Sequence, residues 1–149
     1  MTTDKLSMLP ALDFYTYCNV NGLNYQQEIM TIDADLIYKM WIVDYLISNR
    51  DRHGMNWGFL YRSDTMEIIG CHPLFDHNNS FDKDIMTAPD TLYLFDSNMT
   101  MRQAAVLAMS RTDLHFTSPI TREDFITDRH CRSFLARAKE LGIKTIETL

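Results

Sequence analysis

The clearest hydrophobic pattern in this chain lies between residues 33 and 47, where Leu36, Met40, Val43 and Ile47 recur at helical spacing behind Asp33 or Asp35, either of which can cap a helix. Ile37, Trp41 and Leu46 widen the apolar face, which predicts a helix buried on more than one side. Upstream, Leu12, Phe14, Tyr15 and Cys18 cluster within Ala11 to Cys18 and give way to Asn19-Val20-Asn21-Gly22, the pattern of a short helix ending at a turn. Tyr25 to Ile32 is ambiguous. Downstream, Trp57 to Arg62 and Met66 to Ile69 flank Ser63-Asp64-Thr65 and predict a hairpin with a short polar turn.

Beyond Phe81, residues 82 to 96 hold Pro89 and scattered charges and predict a loop. Thr100 to Arg111 contains Ala104, Ala105, Leu107, Ala108 and Met109, with Thr100 or Asn98 available as a cap, and predicts a helix with a core face. Thr121-Arg122-Glu123-Asp124 resembles a capping box and opens a last helical region that presents Phe134, Leu135, Ala138 and Leu141 and stops at Gly142. The elements together predict an α+β fold that is mainly helical.

With 149 residues and 46% hydrophobic content, the chain is long enough for one compact domain, residues 11–149, after a loose lead-in at 1–10. A net charge of −6 argues against non-specific nucleic-acid binding. Arg129, Arg132, Arg137 and Lys139 are expected on a solvated helix face rather than in a basic stripe. The three cysteines, Cys18, Cys71 and Cys131, are far apart and include no Cys-x-x-Cys pair, so a reducing compartment is expected. No stretch approaches the ~18 consecutive apolar residues of a membrane span, and the N-terminus lacks a signal-peptide core. A cytoplasmic protein with no membrane contact is the expectation.

The candidate chemistry lies in Asn49-Arg50-Asp51-Arg52-His53-Gly54-Met55-Asn56 and in Pro73-Leu74-Phe75-Asp76. Phosphoryl transfer needs a carboxylate to orient the attacking hydroxyl and oxygen ligands to hold Mg2+ against the ATP phosphates. Asp51 suits the first task, and the Asn56 amide and Asp76 carboxylate suit the second. Taken singly, each is an ordinary turn-forming residue. The combination, with a hairpin between the two loops, is what points to chemistry.

These segments, extended to Asp44-Tyr45-Leu46-Ile47-x-Asn49-x-Asp51-Arg52-His53-x-x-Asn56-x-Gly58, resemble the catalytic and metal-binding loops of the HipA-like serine/threonine kinases and, more distantly, the catalytic loop of phosphoinositide kinases. The resemblance implies a protein-kinase-like C-terminal lobe with a short β-hairpin between its two loops. It implies Asp51 as catalytic, Asn56 and Asp76 as the residues that bind the cofactors Mg2+ and ATP, a protein Ser or Thr as acceptor, and a toxin–antitoxin setting. Two features depart from the pattern. Neither a Gly-rich phosphate-covering loop nor a strand lysine is found, so an N-terminal lobe from another chain or an upstream segment is expected. His77-Asn78-Asn79 stands after Asp76 where related sequences tend to place a glycine.

Two other functional classes fit parts of the pattern. A non-catalytic relative would bind nucleotide or a partner as a regulator. A metal-dependent phosphoesterase or nuclease would use the Asp and His cluster, although an acidic protein suits a polyanionic chain poorly. Cys71, His72, Asp76 and His77 also invite a zinc site, with poor spacing for one.

Overall fold

The computed structural model describes residues 5–49, 55–72 and 99–144. They form a mixed α+β fold of four helices and a small antiparallel sheet. The chain divides into two compact units, Met1–Ile37 with Asp51–Asp76 and Tyr38–Arg50 with His77–Leu149.

In the first unit the strands are β1 (Leu6–Pro10), β2 (Gly58–Arg62) and β3 (Ile68–Cys71), in the order β1-β2-β3. The expected hairpin is present, with its second strand starting two residues later than predicted. Met66 takes a left-handed conformation with φ 61° and its N–H donates to the Arg62 carbonyl, so the turn runs one residue past Thr65. Tyr61 pairs with Ile68 and Leu60 with Gly70, which leaves Ile69 as a bulge.

The loose lead-in is corrected in part. Leu6–Pro10 is a strand whose residues pair from Leu6 with Arg62 to Pro10 with Gly58. So short a segment has no helical or alternating signature of its own, and its ladder exists only because β2 offers a free edge. Pro10 ends the strand with φ −58°, which its ring fixes, and an extended ψ of 143°, and stands as the N-cap of the first helix, α1 (Ala11–Val20).

Helix α1 runs two residues past the expected Cys18 and ends at the predicted turn. Gly22 has φ 67°, its N–H donates to Asn19, and the Leu23 N–H donates to Cys18, the paired bonds of a Schellman cap. Phe14 from α1 packs edge-on against Phe59, with ring centroids 5.1 Å apart, and Trp57 meets Phe59 at 5.3 Å. Ala11, Phe14, Cys18, Ile29, Trp57 and Phe59 are buried here, each large side chain worth about 1.5–3 kcal/mol on burial.

Helix α2 (Tyr25–Leu46) includes the ambiguous stretch and breaks at Asp33, whose backbone is non-helical. The Asp33 carboxylate accepts from the Leu36 N–H at 3.2 Å, so this residue caps the second part as expected. Of the expected apolar face, Ile37, Met40, Trp41 and Leu46 are fully buried, while Leu36, Val43 and Ile47 are half-buried, and Asp44 and Tyr45 join the buried stripe. A polar residue therefore occupies a core position.

In the second unit, α3 (Met101–Met109) opens with a capping box. Thr100 Oγ1 accepts from the Gln103 N–H at 3.1 Å, and Gln103 Oε1 accepts from the Thr100 N–H at 3.0 Å. The Thr121 motif produces only a 3-10 turn at Arg122–Asp124. The longer helix, α4 (Asp128–Glu140), has its own cap in Thr127, whose hydroxyl accepts from the His130 N–H. It closes at Gly142, φ 75°, as predicted. Met101, Ala104, Ala105, Ala108, Phe134 and Ala138 are buried. Among the described residues no helix is long and apolar enough to cross a membrane.

Gly58 makes the sheet possible at its entry. A Cβ placed there would collide with the Leu9 carbonyl oxygen of β1. Gly58→Ala is expected to separate β1 from β2 and to lower stability by about 2 kcal/mol or more, as an overpacked site does. Urea unfolding of the variant checks this, and hydrogen exchange should rise at the β1 amides.

Candidate functional site

The candidate catalytic segment leaves the end of α2. A buried helix end must satisfy its last carbonyls without water. Here the Ser48 N–H donates to Tyr45 at 3.2 Å and the Asn49 N–H donates to Asp44 at 2.9 Å, the same paired pattern that closes α1. The residue in the left-handed position is not glycine but Ser48, with φ 54°. Asp44 and Asn49 are 0% and 1% exposed, and the Asn49 side-chain amide donates to Asp44 Oδ1 at 3.3 Å.

Three side chains from α3 and α4 secure this helix end. The Arg137 guanidinium donates through Nη1 to the Tyr45 carbonyl at 2.8 Å and lies over the Tyr45 ring, 5.4 Å from its centroid. The Tyr45 hydroxyl donates to Glu140 Oε2 at 3.0 Å and accepts from Arg102 Nε at 3.2 Å, and Arg102 pairs with Glu140 at 3.0 Å. Burial raises the pKa of the Tyr45 phenol, with the Glu140 carboxylate adding to the effect and Arg102 opposing it.

Arg137 corrects the expectation of a fully solvated basic face. Arg129, Arg132 and Lys139 are exposed, but Arg137 is only 4% exposed. Its position three residues after Phe134 and next to Ala138 places it on the apolar face of α4, and that spacing was the available signal. A cation at a helix C-terminus is favourable, and its ring contact with Tyr45 adds to this.

Of the three predicted site residues, the structure describes Asn56. It is buried, 5% exposed, two residues before β2. Asp51 and Asp76 lie outside the described residues, as do Arg52, His53, Pro73 to Phe81 and the predicted loop at 82 to 96. The hairpin is the element that relates the two loops. Phe59 pairs with Cys71, and the His72 N–H donates to the Gly58 carbonyl at 2.9 Å. The chain therefore returns at His72 to the side of Gly58, two residues from Asn56 and four from Asp76.

Cys71 has its thiol pushed up to about 12, first by burial and then by the Asp33 carboxylate. Among the described residues no group of three or more His, Cys, Asp or Glu side chains could hold a metal ion. Of the residues in the zinc reading, Cys71 and His72 are described, and Asp76 and His77 lie outside the described residues.

No protein-family model, no curated protein and no solved structure matches this chain.

Replacing Arg137 with Met is expected to destabilise the fold by about 2–3 kcal/mol, because a charge-assisted hydrogen bond to a buried carbonyl is lost. Lys at this position should restore little, since an ammonium cannot both lie flat on the ring and reach the carbonyl in the same way. Denaturant midpoints of the two variants decide it. For Cys71, the folded state favours the neutral thiol, so its stabilising contribution is full below the ordinary value of about 9 and is lost as pH rises toward about 12. Maleimide labelling of Cys71 should accelerate with pH without a plateau below about 12, as peptide mass mapping would show.

Proposed function

We propose that this chain is the Mg2+·ATP-binding, catalytic C-terminal lobe of a HipA-like kinase, transferring phosphate to a protein Ser or Thr hydroxyl. The single observation that carries the reading is the hairpin's base. The backbone bond from His72 to Gly58 starts the second candidate loop beside the residues that follow Asn56. Four residues span at most about 14 Å, so Asp76 is within chain reach of the neighbourhood of Asn56.

An uncharged amide oxygen and a carboxylate oxygen are hard donors, and the buried Asn56 at the base of a rigid hairpin is suited to hold a small divalent cation. Asn56 and Asp76 would hold Mg2+, which when bound neutralises charge on the phosphates. Asp51 orients the acceptor hydroxyl for in-line attack and accepts its proton. The phosphate-covering loop and lysine of such kinases are supplied from outside these 149 residues. The first unit exposes Leu6, Leu12, Tyr15, Tyr17, Val20 and Met66, an apolar surface consistent with cover by such a lobe.

A ligand that binds only the folded state raises apparent stability, by about 2.7 kcal/mol at a hundredfold excess over its Kd. The melting temperature of the chain is expected to rise by about 5–10 °C with Mg2+ and ATP together and not with ATP in EDTA. Asn56→Ala and Asp76→Ala should each lose the rise, while Asp51→Ala keeps it and loses phosphotransfer. A rise that survives in both metal-ligand variants would place the nucleotide elsewhere. No rise in the folded native chain would mean that this lobe forms no nucleotide site by itself.

A further inference from the structure

We infer that the first unit carries a binding cavity for an uncharged, flat aromatic molecule, between α1 and the sheet. The cavity has a volume of about 340 Å³ and is lined by Leu9, Phe14, Tyr17, Tyr61, Met66 and Ile68. Strand register explains why these residues meet. Leu9 stands opposite Phe59, and Tyr61 lies two residues beyond Phe59 on β2, so the three share one face of the sheet. Phe14 of α1 packs on Phe59, which makes that face the one beneath the helix. Gly58 and Leu60 alternate to the opposite face, and the cavity does not rest on the kinase reading. It is deeper than an exposed patch, because its lining runs from Met66 and Tyr17, 70% and 55% exposed, down to Phe14, 6% exposed.

Two departures from regular structure converge on this cavity. The bulge at Ile69 sets Ile68 opposite Tyr61, where an unbroken ladder would set the more exposed Ile69. Met66 takes the left-handed conformation, φ 61°, at a turn position that glycine would fill without a Cβ penalty. As an exposed side chain it regains little of that strain through its own burial. Strained residues of this kind gather at ligand clamps, and a thioether makes favourable contacts with aromatic rings.

The chemistry of the lining selects the occupant. Three aromatic rings, two branched aliphatic side chains and a thioether suit an apolar ring system. Phe14 and Tyr17 lie within 18° of parallel, with centroids 6.0 Å apart, which sets a plane on which a further flat ring can stack. None of the six side chains carries a charge, so a charged molecule would lose its hydration there without gaining a partner. The Tyr17 and Tyr61 hydroxyls can orient one polar substituent. At about 340 Å³ the cavity is near the lower end of ligand sites, which suits two fused rings better than a larger molecule.

The test titrates the full chain with 2-naphthol, two fused rings bearing one hydroxyl, and follows amide shifts by NMR beside the melting temperature of each variant. Saturable binding is expected with a Kd on the order of 0.1–1 mM, in keeping with so small a molecule, and with the largest shifts at the lining residues. Tyr17→Ala should weaken binding about fivefold or more, the worth of one ring contact. Met66→Gly relieves the left-handed strain, so it should melt no lower than the native chain and yet bind several-fold more weakly, a combination that a merely structural role does not give. Val106→Ala, on exposed α3 surface in the other unit, should leave Kd within about twofold. No saturation of the folded chain, or saturation unchanged in both cavity variants, overturns the site. Equal affinity for decahydro-2-naphthol, which is apolar but not flat, overturns the aromatic class of ligand. Shifts at the lining that appear on concentrating the chain alone, and that 2-naphthol does not reverse, assign the cavity to a second copy and overturn the proposal.

Discussion

The carbonyl end of α2 is the constraint around which the second unit is arranged. A helix that stops inside a protein leaves its last carbonyls without water, and each must find a donor. Tyr45 finds two, the Ser48 N–H and the Arg137 guanidinium, and Asp44 finds the Asn49 N–H. Burying a cation is unfavourable unless it is paired, and here the carbonyl and the Tyr45 ring receive it together. Because Arg137 belongs to α4 and Arg102 to α3, satisfying one helix end also ties three helices together. The exposed Arg102–Glu140 pair alone would be worth little, and its contribution lies in orienting the Tyr45 hydroxyl.

The first unit is organised around a different constraint, the close approach of two backbones. Gly58 lets β1 lie against β2, and the Ala11 N–H then donates to the Trp57 carbonyl, so the sheet and α1 share one corner. Gly58 stands two residues after Asn56. In the stretch Asn56-x-Gly58 both ends are constrained by the fold, Asn56 by burial and Gly58 by the approach of β1. The aromatic cluster of Phe14, Trp57 and Phe59 makes that corner rigid, which suits a hairpin whose base delivers two loops.

Helices with local signals were the most legible part of the fold. Thr100 with Gln103, Asp33 before Leu36, and the glycines at 22 and 142 announce helix ends through contacts within a few residues. The Thr121 motif was equally visible but misleading about what it opens, because a capping box fixes a first turn and not the length that follows. The strand at Leu6–Pro10 left no signal, since its hydrogen bonds are all made to residues more than forty positions away. The apolar pattern that ends at Ile47 marked the end of α2 to within one residue, but not that Ser48, rather than a glycine, takes the left-handed turn there.

Local order therefore determined where most of the helices begin and end, the hairpin, and the short motifs that carry Asp51, Asn56 and Asp76. These depend on propensities and on bonds that span a few residues, which the chain encodes directly. Only the tertiary structure decided that Asp44 and Asn49 are buried together, that Arg137 turns inward, and that His72 returns to Gly58. Such pairings depend on which distant groups are left without water at the same place, and no spacing along a single chain states that.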